Sequence, residues 1–199
     1  RVASRGLGDV YKRQPVEHRL VAVYHGNNDD KTALICASNK GHTEIVTKLL
    51  RALPEKDRLD AINSKNIAGD TALTCASYKG RSEIVTILLD ALPVEHKLAA
   101  INHENNKGNT ALMYASCNGS LNTIGALLRA LRGLPKHLYT AISYANIRGR
   151  TPLMIACYSG RRETVRALLI GYEKLEKNVF KNNPNIDDAS PGAHKSSTK

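Results

Sequence analysis

The stretch Thr71-Ala-Leu-Thr-Cys-Ala-Ser-Tyr-Lys-Gly-Arg-Ser-Glu-Ile-Val-Thr-Ile-Leu-Leu89 decides the architecture. Apolar residues recur at helical spacing on both sides of Gly80, which predicts two short antiparallel helices with a glycine between them. Varied copies occupy residues 32–50, 110–128 and 151–169. The leading threonines, Thr32, Thr71, Thr110 and Thr151, stand 39, 39 and 41 residues apart. A period of that length marks stacked units rather than one globular core. The composition agrees, because the chain has no Trp and one Phe, Phe180. Many small pairwise helix contacts need fewer large aromatics than a single core does.

Each unit reads the same way. Thr is followed by Ala-Leu or Pro-Leu, as suits a first helical turn, and Pro152 is tolerated there because a first-turn N–H has no intrahelical acceptor. Leu34 with Ala37, and Leu73 with Ala76, set small apolar residues on one face, where two helices can approach closely. Gly41, Gly80, Gly119 and Gly160 end the first helix. The second helix buries one stripe, Ile84/Val85/Leu88/Leu89 in the second unit. Pro54, Pro93 and Pro135 stop it. They open an insert, as in Pro93-Val-Glu-His-Lys-Leu-Ala-Ala-Ile101, which predicts an extra short helix pinned by Leu59/Ile62, Leu98/Ile101 and Leu138/Ile142. A polar turn then leads to the next Thr: Asn66 to Asp70, Asn105 to Asn109, Asn146 to Arg150. Asp30 replaces the turn glycine in the first copy, so a less regular turn is expected there.

Thr-Ala/Pro-Leu-x-x-Ala, Gly, Glu-Ile-Val-x-x-Leu-Leu and Asn-x-x-Gly-x-Thr together resemble the ankyrin repeat over residues 15–171. The resemblance implies an all-α solenoid with short hairpin-like turns and, here, an extra helix per unit. The sequence departs from the family in two ways. The period is longer than usual. The histidine of the family's Thr-Pro-Leu-His is replaced by Ile35, Thr74, Met113 and Met154. That replacement removes a polar inter-repeat network, so stacking is expected to rest on apolar packing. The insert is similar to those in ankyrin proteins of host-associated bacteria. A cytoplasmic location is expected, with a secreted bacterial effector acting in a host cytoplasm as the other placement.

The flanks differ from the array. Residues 1–14 share nothing with the repeats and resemble a translated adapter sequence, so they are set aside. The array is expected over 15–180, with helix pairs at 32–53, 71–92, 110–134 and 151–180, followed by a disordered tail over 181–199 that has almost nothing to bury. Pro15-Val-Glu-His-Arg-Leu20 copies the insert at Pro93, so the array begins inside a unit, and its upstream repeats are expected to be missing.

The chemistry is sparse. There is no phosphate-binding Gly-Lys-Ser loop, no HExxH and no nucleophile elbow, so no catalytic residue, metal ligand or cofactor is assigned. His18, His96 and His137 lie on separate inserts and read as solvated helix residues. The four cysteines have no CxxC spacing and read as small buried hydrophobes of a reducing compartment. No apolar run approaches the roughly 20 residues of a membrane span.

Charge is more informative. The chain carries +11, yet twelve basic residues balance twelve acidic ones between Pro15 and Leu128. From Arg129 to Lys174, nine basic residues meet only Glu163 and Glu173. The basic residues are spread over several faces: Arg148 and Arg150 on a turn, Arg161 and Arg162 between helices, Arg166 on the outer helix.

The resemblance implies a protein-binding module that is not an enzyme and acts as a monomer. Its partner would meet the concave face, made by the turn tips and the exposed side of the first helices. The positions that map there are Asp70, Tyr78 and Lys79; Lys107, Asn109 and Asn118; and Arg148, Arg150 and Tyr158. Tyr78 and Tyr158 are equivalent and are the expected anchors, since tyrosine brings contact area at low entropic cost. The basic end implies an acidic partner segment. A nucleic-acid or anionic-surface binder acting through the fourth unit is the disfavoured rival, because its basic residues are not interleaved with aromatics. A regulatory fragment of a larger enzyme is the third reading.

Overall fold

The computed structural model describes residues 24–171. Each unit contributes a first helix, a second helix and an insert helix. They are α1 (Ala33–Lys40), α2 (Thr43–Ala52) and α3 (Glu55–Asn63); α4 (Ala72–Tyr78), α5 (Ser82–Asp90) and α6 (Val94–Ile101); and α7 (Ala111–Asn118), α8 (Leu121–Ala130) and α9 (Pro135–Ser143). The fourth unit has α10 (Pro152–Tyr158) and a helix over 162–171, α11. No strand occurs among the described residues. The fold is an all-helical repeat solenoid.

Helices of one kind stack in rows. The first helices pack α1 on α4 on α7 on α10, the second helices α2 on α5 on α8, and the inserts α3 on α6 on α9. The first row is closely spaced because its central residues are small. Ala76, Ala115 and Ala156 are buried, as are Ser77 and Ser116. Ile84, Leu88, Ile124 and Leu127 fill the space between the first and second rows. Ile62, Ile101 and Ile142 are buried, and Leu59, Leu98 and Leu138 pack beside that core, so the inserts are pinned as their spacing predicts. The second helices end before the prolines, however. α8 stops at Ala130, ahead of a link in which Gly133 takes φ 86°, and Pro135 instead occupies the first turn of α9.

The leading threonines are N-caps. The hydroxyls of Thr32, Thr71, Thr110 and Thr151 accept from the backbone N–H three residues on, at 3.3 to 3.4 Å. A cap of this type is worth about 1 kcal/mol. Thr74 returns the bond, donating its hydroxyl to the Thr71 carbonyl and lying 2.7 Å from the Thr71 N–H, so this substitute for the family histidine works within its own unit.

The four polar turns share one conformation. The side-chain oxygen of Asn27, Asn66, Asn105 or Asn146 accepts from the N–H groups two and four residues on. The N–H three residues on donates to the same Asn carbonyl at 2.8 Å in every copy. Asp30 adopts φ 55°, beside 78°, 70° and 67° for Gly69, Gly108 and Gly149. The first turn is therefore as regular as the others, contrary to expectation. Aspartate tolerates the left-handed region better than most residues, and the asparagine bonds hold it there.

Stacking decides what a substitution at the turn glycine costs. A Cβ on Gly108 would lie 2.7 Å from the Ile147 backbone nitrogen, whereas one on Gly149 meets nothing within 4 Å. Gly149→Ala should cost about 1 kcal/mol, the left-handed strain alone. Gly108→Ala should cost about 2 kcal/mol or more, because the next turn must also move. Paired urea titrations check the order.

Candidate functional site

The turn tips and the exposed side of the first-helix row form one face. Two adjoining hollows lie along it. One, of about 480 Å³, spans the first three units and is lined by Lys31, Asp70, Tyr78 and Lys79 among others. The next, of about 350 Å³, lies between the third and fourth units, with Arg148, Arg150, Ile155 and Tyr158 in its lining. Lys107, Asn109 and Tyr114 line both, so the hollows form a continuous groove.

The nine sequence-derived positions divide on this face. Tyr78, Lys79, Lys107, Arg148, Arg150 and Tyr158 present side chains to the groove. Tyr158 is 80% exposed and Tyr78 51%. Each tyrosine ring carries a cation 4.9 Å from its centre: the Lys79 ammonium over Tyr78, and the Arg150 guanidinium over Tyr158. Such pairs are worth about 0.5–1 kcal/mol at exposed sites, and they hold a long cationic chain in place before any partner arrives.

The other three positions have their polar groups engaged inside the stack. Asp70 accepts from the Asn105 amide at 3.0 Å and from the Tyr114 hydroxyl at 3.3 Å. Asn118 donates to the carbonyls of Ser77 and Tyr78, at 3.0 and 2.7 Å. Asn109 accepts from the Asn146 amide at 2.9 Å. These bonds join units, as do Arg161 to the Cys117 carbonyl at 3.0 Å and the Tyr144 hydroxyl to Glu104. The polar inter-repeat network expected to be missing is present, built from other residues. Asn105 shows why it is stable. It is buried, its amide gives two hydrogen bonds, to Asp70 and Tyr114, and its oxygen takes two, from the N–H groups of Lys107 and Asn109.

Tyr114 was not singled out from the sequence, yet it is central to the groove. It stands where the other units have Cys36, Cys75 and Ile155, and a large polar-tipped residue among smaller ones was the available signal. Its ring meets Tyr78 edge-on at 5.2 Å between centres. Burial, and then the Asp70 carboxylate, raise its hydroxyl to a pKa of about 12. The neutral form is thus favoured in the folded chain. Tyr114 contributes stability that is fully present below its unfolded value near 10 and is lost as pH rises through about 12. Subtracting the tyrosinate absorbance titration of Tyr114→Phe from that of the parent should leave a step near pH 12 rather than 10. Cys75 lies beneath this cluster, and burial followed by the Asp70 charge pushes its thiol to about 12. Cys36, Cys117 and Cys157 are exposed, so the expectation of four buried cysteines holds only for Cys75. Cys117 lines the groove, and Cys157 takes, in the fourth unit, the repeat position at which Ser77 and Ser116 are buried.

The basic end also divides. Arg161 is engaged with the third unit, and Arg166 lies 3.9 Å from Glu163. Arg148 and Arg150 line the groove. The described ion pairs are Lys31–Asp29, Lys48–Glu44 and Arg166–Glu163, so among the described residues Lys107, Arg148 and Arg150 have no carboxylate partner. Among the described residues no group of three potential ligands could hold a metal ion, and no helix is long and apolar enough to cross a membrane.

A family model for ankyrin repeats in three copies matches the chain over residues 11–96, 57–140 and 94–181. With the stacked helix pairs and turns described above, the chain belongs to the ankyrin-repeat family. No curated protein matches it. Ankyrin repeats are in general protein–protein interaction modules, and that class describes this chain.

Proposed function

We propose that the chain binds a protein partner in the groove formed by its turn tips and first helices. One observation carries this reading: side chains that vary between units, among them Tyr78, Lys107, Arg148 and Tyr158, line this groove. The position three before each leading Thr is Asp29, Ala68, Lys107 and Arg148, and the position seven after it is Asn39, Tyr78, Cys117 and Tyr158. The framework around them, Asn105, Asn118, Asn146 and the four threonines, is committed to hydrogen bonds within and between units. A rigid frame carrying variable side chains with two cation-capped tyrosines is a suitable recognition surface, because little order must be gained on binding.

Tyr158 is the preferred anchor over Tyr78. Tyr78 also packs on Tyr114 and gives its carbonyl to Asn118, so truncating it would disturb stacking. Asp70, Asn109 and Asn118 position the surface and contribute contacts only at their edges. Affinity capture with the parent chain and with Tyr158→Ala tests the reading. A captured protein whose binding is indifferent to Tyr158→Ala and to Lys107→Glu would remove it.

A further inference from the structure

We infer that the third-to-fourth-unit end of the groove takes an extended acidic peptide segment bearing a bulky apolar residue. This rests on the concave-face reading and adds the chemistry of the partner. Lys107, Arg148 and Arg150 converge on the hollow of about 350 Å³ between those units. None of the three has a carboxylate partner among the described residues. The carboxylate that lines the adjoining hollow, Asp70, is held by Asn105 and Tyr114, and it is one negative charge beside three cations. The excess positive charge favours an acidic ligand, whose carboxylates would each bring a cation a charge-assisted bond.

Beside Asn109, Asn146 and Ser159, the remaining lining is largely aliphatic and aromatic. Ile147 is exposed on the turn tip, with Ile155 and the face of Tyr158 beside it. Free acidic chains would leave that surface wet. An aliphatic or aromatic side chain flanked by carboxylates covers both components, and Arg150 is already stacked on Tyr158 at 4.9 Å in a position to meet one carboxylate. Single-stranded nucleic acid would also bring negative charge, but it would gain nothing from the aliphatic part of the hollow.

The full chain is used to select from a displayed library of random twelve-residue peptides. An enriched peptide is then measured beside its Asp/Glu-to-Asn/Gln version, its bulky-residue-to-Ser version and a twelve-nucleotide thymidine strand. Enriched peptides should carry acids next to an aliphatic or aromatic residue, and both altered versions should bind at least about tenfold more weakly. Arg148→Glu should weaken binding about tenfold or more. Arg162→Glu makes the same charge change at the exposed start of α11 in the same unit and should alter it less than about twofold. Far-ultraviolet circular dichroism establishes that both variants fold. Neutral or basic enriched peptides, equal effects of Arg148→Glu and Arg162→Glu, tighter binding of the thymidine strand, or no enrichment would each overturn the inference. Neutral peptides that still lose affinity with Tyr158→Ala would leave the concave-face reading standing. Peptides indifferent to both Tyr158→Ala and Arg148→Glu would remove both.

Discussion

Leu89→Ala should lower stability by about 3 kcal/mol, within the range for emptying a buried leucine site, while Leu169→Ala should cost about 1 kcal/mol. Both residues stand eighteen positions after a leading threonine, on the second helix of their unit. Leu89 is 1% exposed and Leu169 45%. Position within the repeat is the same, so the difference measures the neighbour. In a solenoid a unit's burial is completed by the next one, and no described residue stacks on the outer side of the fourth. The same asymmetry appears at the third position after the threonine, where Met113 is 1% exposed and Met154 55%. Thermal unfolding of the two variants beside the parent would show it, with a midpoint drop on the order of 10 °C for Leu89→Ala and a few degrees for Leu169→Ala. Equal losses would mean that the fourth unit is covered as well as the second.

Tyr158→Ala should weaken partner binding by about 2 kcal/mol or more, roughly a thirtyfold change, with stability altered by less than about 0.5 kcal/mol. Its ring is largely exposed, and its described contact is the Arg150 guanidinium. Truncation therefore removes contact area and frees Arg150, but opens no cavity. Tyr78→Ala should instead reduce both binding and stability, because its ring supports Tyr114. Titration calorimetry for binding and urea unfolding for stability separate the two tyrosines. If Tyr158→Ala unfolds the chain, its ring is a structural element after all.

Much of the fold was legible because its determinants are local. A threonine three residues before the N–H it caps, an asparagine two and four residues before the groups it bonds, and apolar residues at helical spacing are visible at short range. Asp30 departs from the expectation because the asparagine bonds, and not a glycine, set the conformation of the turn. The candidate site was legible in outline and not in detail. Asp70 meets Asn105 and Tyr114 across 35 and 44 residues, and Asn118 reaches Ser77 across 41. Those pairings depend on how far each unit is shifted and rotated on the last, which no residue spacing states. The same displacement brings Lys107 beside Arg148 and Arg150 into one groove, although along the chain the basic residues look scattered.

On the proposed reading, recognition lies in the groove and not on the outer helices. Hydrogen exchange of the full chain, alone and saturated with its captured partner, tests it most directly. Slowed exchange is expected in the turns 105–109 and 146–150 and along α7 and α10, with α5 and α8 unchanged. Protection confined to α5, α8 or the insert helices, with those turns exchanging as in the unbound chain, would contradict it.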